Sequence, residues 1–357
     1  MKVVFRVDAS YEVGSGHLMR CLTLAKRFIK EKKADVYFIM RALDGNLINL
    51  VEQEGIHSLI LPKTDRGYHL EGYSKWLTVP QVLDAEQSIK KIEFIDSVDL
   101  LVVDSYAIDI TWECTLRPYT NKIMVIDDLA NRKHDCDILL DSDLYDDMCE
   151  RYKELVPDKC KCYLGPRYAL LREEFYDVKK YINKDRKKLG NILVFFGGID
   201  ATDETSKTLQ AIEQIGNNEL IVNVIVGNGN PHKSKIEDYC AKYDNWNYYC
   251  QISNMAELMA KADLAIGAGG TTTWERCYLG LPTIVIAVAE NQREFSEACL
   301  KAGVIKYLGM AEDVTVCNIK NVIVSCSIQE LEMMKNACYK LMGNACEDNE
   351  LLEACCL

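Results

Sequence analysis

The sequence has no surplus of basic charge: 42 lysines and arginines stand against 54 acidic residues, for a formal net charge of −12. That balance, with no basic block anywhere, argues against a sequence-blind binder of nucleic acid or anionic membrane. Also missing is any apolar run near the roughly 18 residues a membrane span needs; TIVIAVA at 283–289 is among the longest. The opening MKVVFRVDAS leads into no apolar stretch with a cleavage site, so a cytoplasmic protein without membrane insertion is expected. Among the 16 cysteines no paired CxxC spacing occurs. Cys160 and Cys162 are one residue apart and Cys355 and Cys356 adjacent, which are poor chelating pairs for a tetrahedral metal. A reducing compartment removes the disulfide alternative. Cys21, Cys240 and Cys277 fall among apolar residues in helical patterns, where cysteine acts as a small hydrophobe.

What is present is a chain of 357 residues, 48% hydrophobic and 27% charged. Those proportions exclude disorder. The length exceeds what one core usually serves, so two domains of roughly 150–200 residues each are expected. Short β-branched runs alternate with amphipathic helical stretches. KVVFRV (2–7), VYFIM (36–40), DLLVVD (99–104) and KIMVID (122–127) read as strands in the first half, with DILLDSD (137–143) after them. After KVVFRV a helix pattern places Leu18, Cys21, Leu22, Ala25, Phe28 and Ile29 on one face. Residues 179–190, KKYINKDRKKLG, are charged and poor in core residues, which makes them the candidate linker. Beyond it the rhythm restarts with NILVFF (191–196), LIVNVIV (220–226), DLAIGA (263–268) and PTIVIAV (282–288). Strands alternating with helices imply parallel sheets with right-handed crossovers. The expectation is an α/β protein of two Rossmann-like domains, residues 1–180 and 190–357, facing across a cleft. Its last thirty or so residues look helical, and whether they return to the first domain is left open.

In open parallel sheets ligands sit beyond the carboxyl ends of the strands, so the loops there are the place to look for chemistry. The first loop is SYEVGSGHLMR (10–20), where Gly14, Ser15 and Gly16 open a helix. Glycine lets backbone approach a ligand closely, and the N–H groups of a first helical turn suit an anion. The loop is not a dinucleotide fingerprint, because residue 19 is Met19, and no GK[ST] follows to make a P-loop. His17 lies in the first turn, where positive potential disfavours imidazolium, so a neutral base is expected. The competing reading is a capping histidine. Arg20, one turn on, suits either a phosphate or an ion pair with Asp8.

The second loop is GAGGTTTWERCYLGLP (267–282). Gly269, Gly270, Thr271 and Thr272 offer N–H and O–H donors to a diphosphate, and Glu275 can accept from a vicinal diol such as ribose. The bland alternative is a glycine turn with a hydroxyl cap and a solvated glutamate. FFGGID (195–200) repeats the strand-to-diglycine turn, with Gly197 and Gly198 for a ligand and Asp200 for either a ligand or a helix cap. Asn291 and Gln292 in AENQREF (289–295) suit amide or hydroxyl recognition, or capping. Asp127, Asp128, Arg132 and His134, after KIMVID, read as a solvated loop more readily than as a metal site.

The segments RVDAS, GSGHLMRCLTLA, DDLANRKHDCDILLD, GPRYALLREEF, FFGGID and GAGGTTTWE…GLPTIVIAVAENQ, in this order, carry a resemblance. Together they resemble the UDP-2,4-diacetamido-2,4,6-trideoxy-β-L-altropyranose hydrolases of pseudaminic acid biosynthesis. That family is similar in fold to the UDP-N-acetylglucosamine transferase of peptidoglycan synthesis, a GT-B enzyme. The resemblance implies a GT-B fold with UDP on the second domain, Gly269 to Thr272 on its diphosphate and Glu275 on its ribose. It further implies His17 as catalytic base, Asn291 close to the reacting centre, and no metal or cofactor. The partners implied are a UDP-linked amino sugar and UDP; the oligomeric state is open. Two other readings compete: a GT-B glycosyltransferase using a UDP-sugar donor, and a non-catalytic nucleotide-sugar-binding protein, which would have no need of His17.

Overall fold

The computed structural model describes residues 1–64, 67–148, 150–182, 188–343 and 350–356. Residues 183–187 of the expected linker therefore lie outside the described residues. The chain divides into two compact units, each built on one parallel sheet.

The first unit takes Met1–Asp143, Asp147–Leu170 and the C-terminal helix Glu350–Cys355. Its strands are β1 (Lys2–Val7), β2 (Asp35–Arg41), β3 (His57–Leu61), β4 (Val98–Asp104), β5 (Thr120–Ile126), β6 (Ile138–Asp141) and β7 (Lys161–Leu164). They lie in the order β3-β2-β1-β4-β5-β6-β7. The central strands are mostly apolar because helices cover both faces. Phe5 of β1 stacks on Phe38 of β2 with ring centroids 4.8 Å apart, beneath the helix Gly16–Lys32. That helix buries Leu18, Cys21, Leu22, Leu24, Ala25 and Phe28, whereas Ile29, expected on the same face, is exposed. Leu351, Leu352 and Cys355 of the terminal helix enter this same core. Lys122 donates to the carbonyls of Ala354 and Cys356 at 2.8 and 2.7 Å, a cationic finish that suits the negative end of that helix.

The second unit has β8 (Asn191–Phe195), β9 (Ile221–Val226), β10 (Trp246–Cys250), β11 (Leu264–Ala268), β12 (Thr283–Ala287) and β13 (Lys306–Met310). Their order, β10-β9-β8-β11-β12-β13, repeats the plan of the first sheet one strand short. The helix Glu173–Lys179 belongs here, with Phe175 buried among Met255, Met259 and Leu279. The division of the chain thus falls at Leu170/Leu171, ahead of the charged 179–190 stretch, because Leu171 and Phe175 are core residues of the second unit and anchor what precedes the linker. Among the described residues no helix is long and apolar enough to cross a membrane, and no cysteine forms a disulfide.

Candidate active site

In the first unit the loop after β1 closes as a tight turn. The Gly14 N–H bonds the Ser10 carbonyl at 2.9 Å with Gly14 at φ +77°, which glycine adopts without strain. Ser15 and Gly16 then open the helix, and a Cβ at Gly16 would meet open space. His17 is buried in the first turn, and its Nδ1 lies 2.7 Å from Oδ1 of Asp104. Asp104 ends β4 and pairs in register with Val7 of β1, so the sheet itself delivers the carboxylate to the start of the helix. A bare lone pair on Nδ1 at that distance would be repelled, so Nδ1 carries its hydrogen and donates it to Asp104. The acceptor position of a neutral ring is then Nε2.

Arg20 does not make the ion pair with Asp8 that was one of its two readings. Its Nε and Nη2 bond Asp104 at 2.6 and 2.7 Å, and its Nη1 bonds Asp128 at 2.9 Å. Asp8 is instead taken by Arg6 at 2.7 Å and by the Arg41 N–H at 2.6 Å. A guanidinium already shared by two carboxylates has little left for a phosphate. Burial by itself would raise the Asp104 carboxyl, but the charge of Arg20 and the hydrogen bonds from Arg20 and His17 outweigh it and hold it well below the usual carboxylate range. Around the imidazole stand aromatic rings: Tyr106 edge-on at 4.6 Å and Trp76 at 5.8 Å, with Tyr73 against both. Tyr106 also donates a short hydrogen bond to Asp128. Burial, then the Asp128 charge, pushes the Tyr106 hydroxyl far up, so it stays a donor.

In the second unit the loop after β11 leads into the helix Thr272–Tyr278. Its glycines differ. A Cβ on Gly269 would come within 2.6 Å of Ser296 Oγ, so packing alone demands glycine there. A Cβ on Gly270 would meet nothing, and Thr271 is exposed, so this stretch is open to a ligand. Arg276 pins the loop from beneath through the Ala268 carbonyl at 2.8 Å and Thr273 Oγ1 at 2.9 Å; burial pushes its guanidinium down to about 10. Glu275 is not solvated: Arg172 grips its two oxygens at 2.8 and 3.1 Å. Such a carboxylate keeps lone pairs for further donors while its orientation is set.

The remaining candidates separate. Asp200, buried at φ +48°, accepts the N–H groups of Glu204 and Thr205 at 3.0 Å each. Asp200 thus makes the capping contacts that were one of its two readings, with both carboxylate oxygens on the helix. Gly197 takes φ +92°, and a Cβ at Gly227 would fall 2.2 Å from the Gly198 carbonyl, so two turns cross here backbone on backbone. Asn291 stands exposed at the start of the helix Asn291–Lys301, and Gln292 accepts from the Val288 N–H at 3.0 Å. In the loop at 127–134, expected to be solvated, Asp127, Asp128 and His134 are instead buried. His134 Nδ1 meets Glu113 at 2.7 Å, and Arg132 lies 2.6 Å from Asp127. Arg132 and His134 hold the Asp127 carboxyl down against the effect of its burial.

Sequence reasoning missed Asp104, Tyr106, Tyr73, Trp76 and Arg172. Asp104 was legible in principle, being an acidic residue at the end of the central strand next to β1, where the first loop must pass. Nothing local marked the aromatic residues.

Residues 191–341 match the glycosyltransferase family 28 C-terminal domain. The chain is 28% identical over 308 residues to an uncharacterised protein of Methanocaldococcus jannaschii, with 84% of this chain and 58% of that one covered. It thus spans less than two thirds of that relative. Over 304 residues it is 29% identical to the UDP-2,4-diacetamido-2,4,6-trideoxy-β-L-altropyranose hydrolase of Campylobacter jejuni, covering 85% of this chain and 97% of the relative. The crystal structure of Acinetobacter baumannii MurG matches with a TM-score of 0.64 at 14% identity, over 99% of this chain and 98% of that one. The fold is the two-domain GT-B fold. Within it, the chain is a protein similar to the Campylobacter UDP-sugar hydrolase.

Proposed function

We propose that the protein hydrolyses a UDP-linked amino sugar at its anomeric C–O bond with inversion, with His17 as general base. The products are UDP and 2,4-diacetamido-2,4,6-trideoxy-L-altrose, a step of pseudaminic acid biosynthesis carried out in the cytoplasm. The observation that carries this reading is the 2.7 Å contact of His17 Nδ1 with Asp104, which leaves Nε2 to take a proton. The similarity to the Campylobacter hydrolase supports it.

In this scheme the second domain holds UDP. Gly270, Thr271 and Thr272 give N–H and hydroxyl donors to the diphosphate, and Glu275, oriented by Arg172, accepts from the ribose diol. Gly269, Gly197 and Gly198 shape the loops, and Asn291 and Gln292 are assigned to the reacting end of the sugar. In the first domain Gly14, Ser15 and Gly16 add backbone donors for the leaving phosphate, and Arg20 acts through Asp104. Water attacks an anomeric carbon of oxocarbenium character on the face opposite the diphosphate. His17 takes the water's proton as the bond to UDP breaks, and Asp104 stabilises the imidazolium. A base so placed contributes about 10²–10⁴-fold.

The family 28 match over 191–341 favours a second reading, transfer of the sugar to an acceptor. One assay separates them: the protein is incubated with the UDP-sugar and no acceptor. Free UDP supports hydrolysis. Release only after an acceptor is added supports transfer, and tight binding without turnover identifies a nucleotide-sugar-binding protein.

A further inference from the structure

Asp104 is shared. Its two oxygens face Arg20 through paired bonds of 2.6 and 2.7 Å, and the same Oδ1 faces His17. One carboxylate cannot neutralise both a guanidinium and an imidazolium. Once His17 holds a proton, these three side chains would carry one net positive charge in a buried site, which is costly. Asp128, in the loop after β5, supplies the fourth charge. It bonds Arg20 Nη1 at 2.9 Å and receives the hydroxyl of Tyr106, whose ring lies edge-on to the imidazole at 4.6 Å. His17, Asp104, Arg20, Asp128 and Tyr106 form a closed circuit of contacts. With imidazolium present, that circuit holds two cations and two carboxylates.

We propose that Asp128 is a positioning residue for the His17 base, holding Arg20 and Tyr106 in place and supplying the negative charge that leaves Asp104 available to the imidazolium. The proposal rests on the hydrolytic reading above, but its physical content, the charge balance around His17, can be measured without substrate. The groups facing His17 are Arg20 from its own helix, Asp104 from β4, Tyr106 beyond it and Trp76 from the turn at 72–77; Cys21 lies on Asp104, and Tyr73 against Trp76 and Tyr106. Around Asp128 lie Asp141, Tyr73 and Arg151, with Asp143 next to Asp141. Burial, then the charges of Asp143 and Asp128, pushes the Asp141 carboxyl well above its ordinary range, so Asp141 does not substitute for Asp128 as a charge.

The test is Asp128→Asn in the full chain. Expected are a kcat about tenfold to a hundredfold lower with KM changed little, and an acidic limb of the kcat/KM profile displaced about one pH unit downward. The sign follows from the charge removed: without Asp128, Arg20 claims Asp104 more completely and imidazolium is less favoured. The His17 ring signals in an NMR pH titration of the ligand-free protein shift their midpoint in the same direction. Asp128→Glu returns both midpoints toward the parent. An Asp128→Asn protein with parental kcat and an unmoved limb overturns the proposal. If the parent releases no UDP, the hydrolytic reading fails, and the NMR comparison still decides on Asp128: a moved midpoint supports it, an unmoved one overturns it. Should Asp128→Asn not fold, Tyr106→Phe keeps the ring and removes only the bond to Asp128. A several-fold lower kcat there supports the circuit, and parental turnover refutes it.

Discussion

The two domains share one strand order and differ in what their fourth strand ends with. In the first, β4 ends in Asp104, which collects His17 and Arg20 into a buried charged cluster. In the second, β11 ends in Ala268 and runs into Gly269 and Gly270, which present backbone rather than side chain. The same contrast holds after the first strand of each sheet: β1 leads to His17, β8 to Gly197 and Gly198. One topology thus offers two kinds of chemistry at equivalent places. Side chains that can carry protons need burial and partners; backbone donors need only an open approach and a rigid loop.

That contrast can be broken by mutation, and the first domain should show the largest effects on turnover. His17→Ala should lower kcat by about 10²–10⁴-fold while calorimetric UDP affinity stays at the parental value; turnover near the parent's would remove His17 from the mechanism. Asp104→Asn should cost nearly as much, about 10²-fold or more, and adds a pH signature. The folded carboxyl of Asp104 is held below its unfolded value, so its stabilising contribution is complete above about pH 4 and fades as pH falls further. The Tm gap between parent and Asp104→Asn should therefore be widest near neutrality and narrow in acid; a gap independent of pH would mean that Asp104 is not ionised in the fold.

In the second domain the prediction is a split between neighbours. Gly269→Ala should cost about 1–3 kcal/mol of stability through its clash with Ser296. Gly270→Ala should leave Tm unchanged yet weaken UDP binding, and equal behaviour of the pair would refute the distinction. The smallest effect belongs to Asp200→Ala. Loss of its cap should cost about 1 kcal/mol and leave UDP affinity intact; a large affinity loss would return Asp200 to the binding site.

The strands show how much of the fold was legible. Every strand inside either sheet except β6 is a largely apolar run that the sequence pattern singles out. Besides β6, the strands it passes over, β3, β7, β10 and β13, are the four sheet edges. KCYL of β7 and WNYYC of β10 are mostly exposed or half-buried, so they lack the continuous apolar signature of a strand covered on both faces. The same limit explains the boundary of the second unit. The charged 179–190 stretch looks like a linker, but the chain has already changed cores at Leu171, because membership of a core depends on what Phe175 packs against.

The candidate site divides along the same line. Glycine turns, the histidine in a first helical turn and the threonine run are local features, set by backbone conformation and helix ends, so sequence alone determined them. The partners of those residues came only with tertiary structure. Asp104 is 87 positions from His17, Asp128 is 108 from Arg20, and Arg172 is 103 from Glu275. No spacing rule relates such positions; parallel strand order brings them together. Charge shared among buried groups depends on distance and burial, so the fold decided which carboxylate serves the base, which arginine is spoken for, and which aspartate is a helix cap.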